Sequence, residues 1–209
     1  MELYGQGYGY IAYRVRLDRD CDREMLTFAG IGDRAQSFVH QRRVGTVYIN
    51  DACLETEITA KTGDVLTVLC ENMGRVNFGE KMARQKGIVG ACLLGGKPLC
   101  NWQVYPLPMD RLQNIDYTQA PEKGEPRFFV GSFPAAVCAD TFLYLEGLGK
   151  GFVVINGFCL GRYWEIGPQK SLYVPASVLR EGENQLIVFD SEGEREKTEV
   201  VLRDFPSPA

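Results

Sequence analysis

The 209 residues carry a net charge of −4, with 45% apolar and 24% charged side chains, the balance of an ordinary globular protein. Two kinds of partner are excluded at once. No apolar run is long enough to cross a bilayer as a helix, and no basic cluster is denser than Gln41-Arg42-Arg43, too thin a face to neutralise a nucleic-acid backbone.

Taken in chain order, the predicted elements are short runs of β-branched and aromatic residues with a period close to 2: residues 10–17, 25–28, 37–39, 65–70, 142–145, 152–155, 185–189 and 199–202. Gly, Asn, Asp and Pro separate them. Directly after the fourth run comes a glycine-rich loop, 72–79, with Arg75 between Asn72 and Asn77 and with Phe78 near its end; such a loop is placed for contact. A Pro-rich, polar stretch at 105–126 then reads as a connecting segment. Beyond it, the strand 152–155 enters Asn156-Gly157, a pair suited to a type I′ hairpin, and returns through Arg162, Tyr163 and Trp164. Only 175–180 offers a helical turn. The expected class is all-β.

An internal repeat sets the domain count. Leu26-Thr27-Phe28-Ala29-Gly30-Ile31-Gly32 aligns with Leu143-Tyr144-Leu145-Glu146-Gly147-Leu148-Gly149, and Ser37-Phe38-Val39-His40 with Val153-Val154-Ile155-Asn156. A period of roughly 117 residues is too long for a solenoid and describes two copies of one module. The expected division is 1–100 and 101–209, with the Pro-rich segment opening the second.

Chemistry-bearing residues are sparse. His40 is the only histidine, which removes a Ser-His-Asp triad and a multi-histidine metal site; no metal and no cofactor are expected. The seven cysteines are odd in number, lack C-x-x-C spacing, and mostly sit in apolar runs such as Val68-Leu69-Cys70. Buried free thiols follow, and with them a reducing, cytoplasmic setting. The start, Met1-Glu2-Leu3-Tyr4-Gly5, has neither region of a signal peptide. Glu55 with Glu57, and Glu192 with Glu194, are the closest carboxylate pairs in sequence, and each reads as a solvated face.

The string from Gly149 through Asn156-Gly157 to Arg162-Tyr163-Trp164, followed by Ile166-Gly167-Pro168-Gln169 and Leu172-Tyr173-Val174-Pro175, resembles the C-terminal domain of glycoside hydrolase family 35 β-galactosidases. Upstream, Gly5-Gln6-Gly7-Tyr8-Gly9-Tyr10 resembles the opening of that family's first β domain, and 72–79 its signature loop. The resemblance implies two consecutive galactose-binding-domain-like jelly rolls that pack against a (β/α)8 barrel. That barrel holds the family's two catalytic glutamates, and no position here matches their motifs. The sequence departs from the family pattern in having His40-Gln41 in the first hairpin, Phe78 where relatives often have tyrosine, and Cys159 where they often have asparagine.

What the resemblance implies for function is a non-catalytic β-sandwich region, supporting a barrel and subunit contacts including those of a homo-oligomer. Asn72, Arg75, Asn77 and Phe78 are then the expected barrel or substrate-entrance contacts. The rival expectation is an independent galactoside-binding module, with Trp102, Tyr163 and Trp164 stacking on sugar rings and Asn156 and Arg162 bonding to hydroxyls. An intact enzyme made of this chain alone is the third reading, and it lacks a convincing carboxylate pair.

Overall fold

The computed structural model describes residues 1–119, 121–195 and 199–207; Ala120, within the Pro-rich segment, lies outside the described residues. Two compact units emerge, Met1–Ile115 and Asp116–Ala209. The fold is all-β.

The first unit contains β1 (Tyr10–Arg16), β2 (Cys21–Phe28), β3 (Ile31–Gly32), β4 (Arg34–Val39), β5 (Arg42–Tyr48), β6 (Glu55–Ala60), β7 (Val65–Glu71), β8 (Gly87–Ile88), β9 (Cys92–Leu94), β10 (Lys97–Pro98) and β11 (Gln103–Leu107). A five-stranded sheet in the order β11-β1-β7-β4-β5 faces a four-stranded sheet in the order β10-β9-β2-β6. Alternation fixes which side chains meet between them: along β6, Thr56, Ile58 and Ala60 are buried while Glu55, Glu57 and Thr59 are exposed. Ile11, Tyr13, Val15 and Val68 from the larger sheet thus share one core with Leu26, Phe28 and Ile58 from the smaller.

The second unit contains β12 (Arg127–Ala135), β13 (Thr141–Tyr144), β14 (Lys150–Ile155), β15 (Phe158–Trp164), β16 (Ser171–Val174), β17 (Gly182–Asp190) and β18 (Val201–Arg203). Its sheets run β12-β17-β14-β15 and β16-β13-β18, around a core of Leu143, Val153, Ile155, Tyr163, Leu172, Val174, Leu186 and Val188. The order β12-β17-β14-β15 repeats β1-β7-β4-β5, and β16-β13-β18 repeats β6-β2-β9. Even the irregularities recur, because the ladders β4–β5 and β14–β15 shift register at Ser37/Phe38 and at Val153/Val154, which the repeat alignment superposes. Opposite those shifts stand Gly45 and Gly161. At Gly45 a Cβ would collide with the Thr56 side chain, so the sheets approach there only because the residue has none.

Two expectations change. The division falls after Ile115 rather than after residue 100, since Gln103–Leu107 is not a connector but the edge strand paired with β1. The thiols are less uniformly buried than their apolar context suggests: Cys21, Cys70 and Cys92 are buried, Cys138 is half-buried, and Cys53, Cys100 and Cys159 are exposed. Exposed strand faces and turns carry those three. Burial pushes Cys92 up to about 12 and Cys70 higher still, so the core thiols stay protonated and inert.

Candidate functional site

The loop after β7 is pinned at its foot and bare at its tip. Asn72 is buried; its amide Nδ2 donates to the Gly7 carbonyl at 2.9 Å and its Oδ1 accepts from the Gly74 amide at 3.0 Å. The Met73 amide donates to Asp33 Oδ2 at 2.9 Å, and Asp33 in turn accepts from Lys86 Nζ at 2.6 Å, a pair largely removed from solvent. Arg75 donates through Nε to Gly7 O at 2.8 Å and through a terminal nitrogen to Glu2 Oε1 at 2.6 Å. Burial alone raises the Glu2 carboxyl, but the Arg75 guanidinium and the Lys86 amide more than offset it and bring it to about 2.

Beyond this anchorage Asn77 is exposed and Phe78 is 85% exposed. The Glu2–Arg75 ion pair draws the N-terminal segment alongside, adding Leu3 (92% exposed) and Tyr4 to Val76, Phe78 and Met82, all exposed apolar side chains. Glu2, Asp33 and Lys86 had no signal in the sequence, because each reaches a partner tens of residues away.

The five residues expected to bind sugar do not converge. Trp102 belongs to the first unit, where it packs on the core, lies edge-on to Tyr13 at 6.3 Å and donates to Leu99 O. Asn156, at the tip of the β14–β15 hairpin with φ 50°, spends its side chain on Val178 O, Asn184 Oδ1 and the Gln185 amide. Trp164 lies at the other end of that hairpin, opposite Lys150. At ~3.3 Å per residue the two are about 25 Å apart.

Tyr163 is buried, 2% exposed, its hydroxyl donating to Phe189 O at 3.0 Å. Gly151 makes room for it, since a Cβ there would strike Phe189 O and lie 3.1 Å from the Tyr163 hydroxyl. Trp164 is half-buried, with Lys150 Nζ 4.7 Å from its ring centre, and Arg162 is exposed. Beside Trp164 opens a cleft of about 390 Å³ lined by Glu146, Gly147, Glu165 and Lys170. Arg195 closes its rim by donating to Gly147 O at 3.1 Å.

Of the carboxylates named from the sequence, Glu55 and Glu57 project from the outer face of β6, where Glu57 accepts from Arg23, while the Glu192 side chain packs over Gly149 in the second unit. Among the described residues no group of three His, Cys, Asp or Glu side chains is arranged to hold a metal.

A repeated β-sandwich with a braced, apolar-tipped loop on its first copy defines an all-β protein of two like modules. The comparisons supply the family. The family model of the β-galactosidase first all-beta domain matches residues 1–108, and that of the β-galactosidase galactose-binding domain matches 126–184. The chain belongs to the β-galactosidase family, of which it carries the non-catalytic β domains. It is 39% identical over 195 residues to human beta-galactosidase-1-like protein 2, covering 89% of this chain and 30% of the relative. A beta-galactosidase of Xanthomonas manihotis is also 39% identical, over 86% of the chain and 30% of the relative. The bovine beta-galactosidase is 36% identical, over 90% and 32%. The chain thus spans about a third of the length of these relatives. Among solved structures, a Pleurotus ostreatus lectin superposes over 94% of the chain and 76% of its own at a TM-score of 0.33 and 11% identity, too loose a likeness to carry an argument.

Proposed function

We propose that the chain serves a β-galactosidase by docking onto a catalytic (β/α)8 barrel through the loop end of its first sandwich, and that on its own it hydrolyses no galactoside. The observation that carries this reading is the contrast within 72–79: a foot fixed by Asn72, Arg75 and Asp33, and a tip, Phe78, left 85% exposed. A loop built only to close a turn has no reason to hold an aromatic ring in water, whereas a rigid apolar tip loses little entropy on burial against a partner. Hydrolysis with retention needs two carboxyl groups about 5 Å apart in one pocket, and the barrel is where the family keeps them.

The test has two arms. The chain incubated with a chromogenic β-galactoside is expected to give no turnover; turnover that disappears on mutating a carboxylate of this chain would overturn the inactive reading. Mixed with a separately produced family barrel, the chain is expected to co-elute with it, and Phe78→Glu to abolish co-elution. Unchanged co-elution of the variant would remove the loop from the interface.

A second reading rests on the cleft beside Trp164, whose volume suits one sugar ring and whose lining joins an indole to two carboxylates and an ammonium. It takes galactose as ligand of the second module. Quenching or enhancement of Trp164 fluorescence by galactose, retained in Trp102→Phe and lost in Trp164→Phe, is the expected signature; a flat titration rejects it.

A further inference from the structure

A second cleft, also of about 390 Å³, lies in the first unit where the chain crosses from one sheet to the other, between β10 and β11. Its lining includes Arg14, Arg16, Asp18, Leu99, Asn101 and Gln103. Arg14 and Arg16 are two apart on β1 and therefore project from one face, away from the core taken by Tyr13 and Val15. Gln103 is the cross-strand neighbour of Arg14 on β11. Asn101, held at φ 60°, turns the crossing chain toward them.

These groups are largely uncommitted. Arg14 is exposed and has no hydrogen-bond, ion-pair or ring partner among the described residues. Arg16 places one terminal nitrogen on Gly63 O at 2.7 Å, and Gln103 accepts from Tyr105 through Oε1, leaving its amide nitrogen to donate. Asp18 is the one carboxylate in the lining, against two guanidinium groups.

We propose that this cleft binds a sugar acid, a single pyranose ring bearing a carboxylate. The paired guanidinium groups match a carboxylate through charge-assisted, bidentate hydrogen bonds. Asn101 and Gln103 serve ring hydroxyls, and Leu99 with Pro98 gives the apolar wall on which the C–H face of a sugar rests. Neither the braced loop nor the cleft beside Trp164 takes part, so the inference stands apart from both readings above.

Calorimetric titration of the full 209-residue chain with D-galacturonate tests it, with galactose and inorganic phosphate as parallel ligands. Galacturonate is expected to saturate one site and to weaken as salt is raised. Galactose is expected to bind that site about tenfold or more weakly, since it cannot engage the guanidinium pair. Arg14→Ala and Asn101→Asp are each expected to lower galacturonate affinity about tenfold or more with an unchanged melting temperature, the second because Asp tolerates the left-handed backbone while adding a repelling charge. Trp164→Ala is expected to leave it unchanged. Absence of saturable galacturonate binding, equal binding by Arg14→Ala, equal affinity for galactose, or tighter binding of phosphate than of galacturonate would each overturn the proposal.

Discussion

The two sandwiches are built on one strand order and differ in what they attach to it. After its central strand β7 the first runs through 72–91, room for the braced loop, a 3₁₀ turn (Glu80–Ala83) and β8, before rejoining the smaller sheet at β9. In the second the corresponding β17 ends at Asp190 and β18 begins at Val201. The framework also diverges at one buried position. Arg34 and Lys150 are equivalent, and each cation lies over the aromatic ring opposite it on the hairpin, Tyr48 at 5.7 Å and Trp164 at 4.7 Å. In the first sandwich Arg34 also meets Glu71 at 3.3 Å, both side chains 2% exposed. In the second, Ser191 occupies the Glu71 position and donates through both amide and hydroxyl to the Lys150 carbonyl. The modules thus keep the cation and its ring, while the buried carboxylate beside it in the first is exchanged for a serine that bonds the backbone in the second.

The largest expected effect breaks that comparison at its most costly point. Glu71→Ala strands the Arg34 guanidinium in the interior and should cost about 3–5 kcal/mol, because a buried charge that loses its partner retains its full desolvation penalty. Lys150→Met keeps the aliphatic stem and is expected to cost less, about 1–2 kcal/mol, the cation–ring attraction being part of what it gives up. Chemical denaturation of the two variants measures the gap. Equal losses would show that the second module depends on its cation as strongly as the first.

Next in size is the contrast between adjacent aromatics on β15. Tyr163 is inside and hydrogen-bonded, so Tyr163→Ala should cost about 3–5 kcal/mol; Trp164, half-buried at the cleft, should cost about 1–3. Thermal melts that reverse the order would place Trp164 in the core and weaken the second functional reading.

A smaller, pH-dependent effect arises where the modules bury different groups at equivalent sites, Cys70 and Asp190. Asp190 is fully buried, and burial raises its carboxyl above the usual 3.8 even though the Lys150 and Glu192 amides oppose the shift; Oδ2 has no hydrogen-bond partner among the described residues. A carboxyl whose folded pKa is raised favours the native state below the unfolded pKa and loses that advantage as pH rises through the folded one. Asp190's own contribution should therefore fall on going from pH 4 toward neutrality. Asp190→Asn should gain progressively over the wild type along that rise, to about 1 kcal/mol at pH 7. Parallel pH profiles for the two proteins would refute the assignment.

Much of the fold was legible in the sequence, for reasons that are local. The repeat survives because both copies place the same strand before the same turn, and Asn156-Gly157 states its hairpin outright, with φ of 50° and 83°. His40-Gln41 turns too, with positive φ at His40, which Asp64 Oδ1 meets at 2.8 Å. Two of the strands that the period-2 runs omit are instructive: β11 carries Pro106 and β12 carries Pro134, residues that read as breakers. Both strands lie at sheet edges, where a missing N–H costs nothing. The site was legible only in part. Glycines and asparagines announce the loop 72–79, but its braces, Glu2, Gly7, Asp33 and Lys86, are remote in sequence, and no spacing rule links them.

The smallest expected effect on stability is also the one that separates anchorage from function within the loop. Phe78→Glu replaces a ring already in solvent and should change stability by no more than about 0.5 kcal/mol, while abolishing capture of a barrel. Arg75→Ala acts on the other end of the loop: it removes the ion pair with Glu2 and one bond to Gly7, so amide exchange across 73–79 should accelerate with little change in the global melt. The clamp carries its own pH signature. Glu2 stays ionised down to about 2 in the folded chain, below the ordinary 4.5, so its contribution is complete above 4.5 and is lost as pH falls toward 2. Exchange at 73–79 in the wild type, corrected for intrinsic chemistry, should therefore stay slow at pH 4 and quicken near 2, whereas Arg75→Ala should already be fast at pH 4. A wild-type loop that loosens together with the ordinary carboxylates near 4.5 would mean that the Glu2–Arg75 pair does not hold it, and the rigid-tip argument for docking would fall with it.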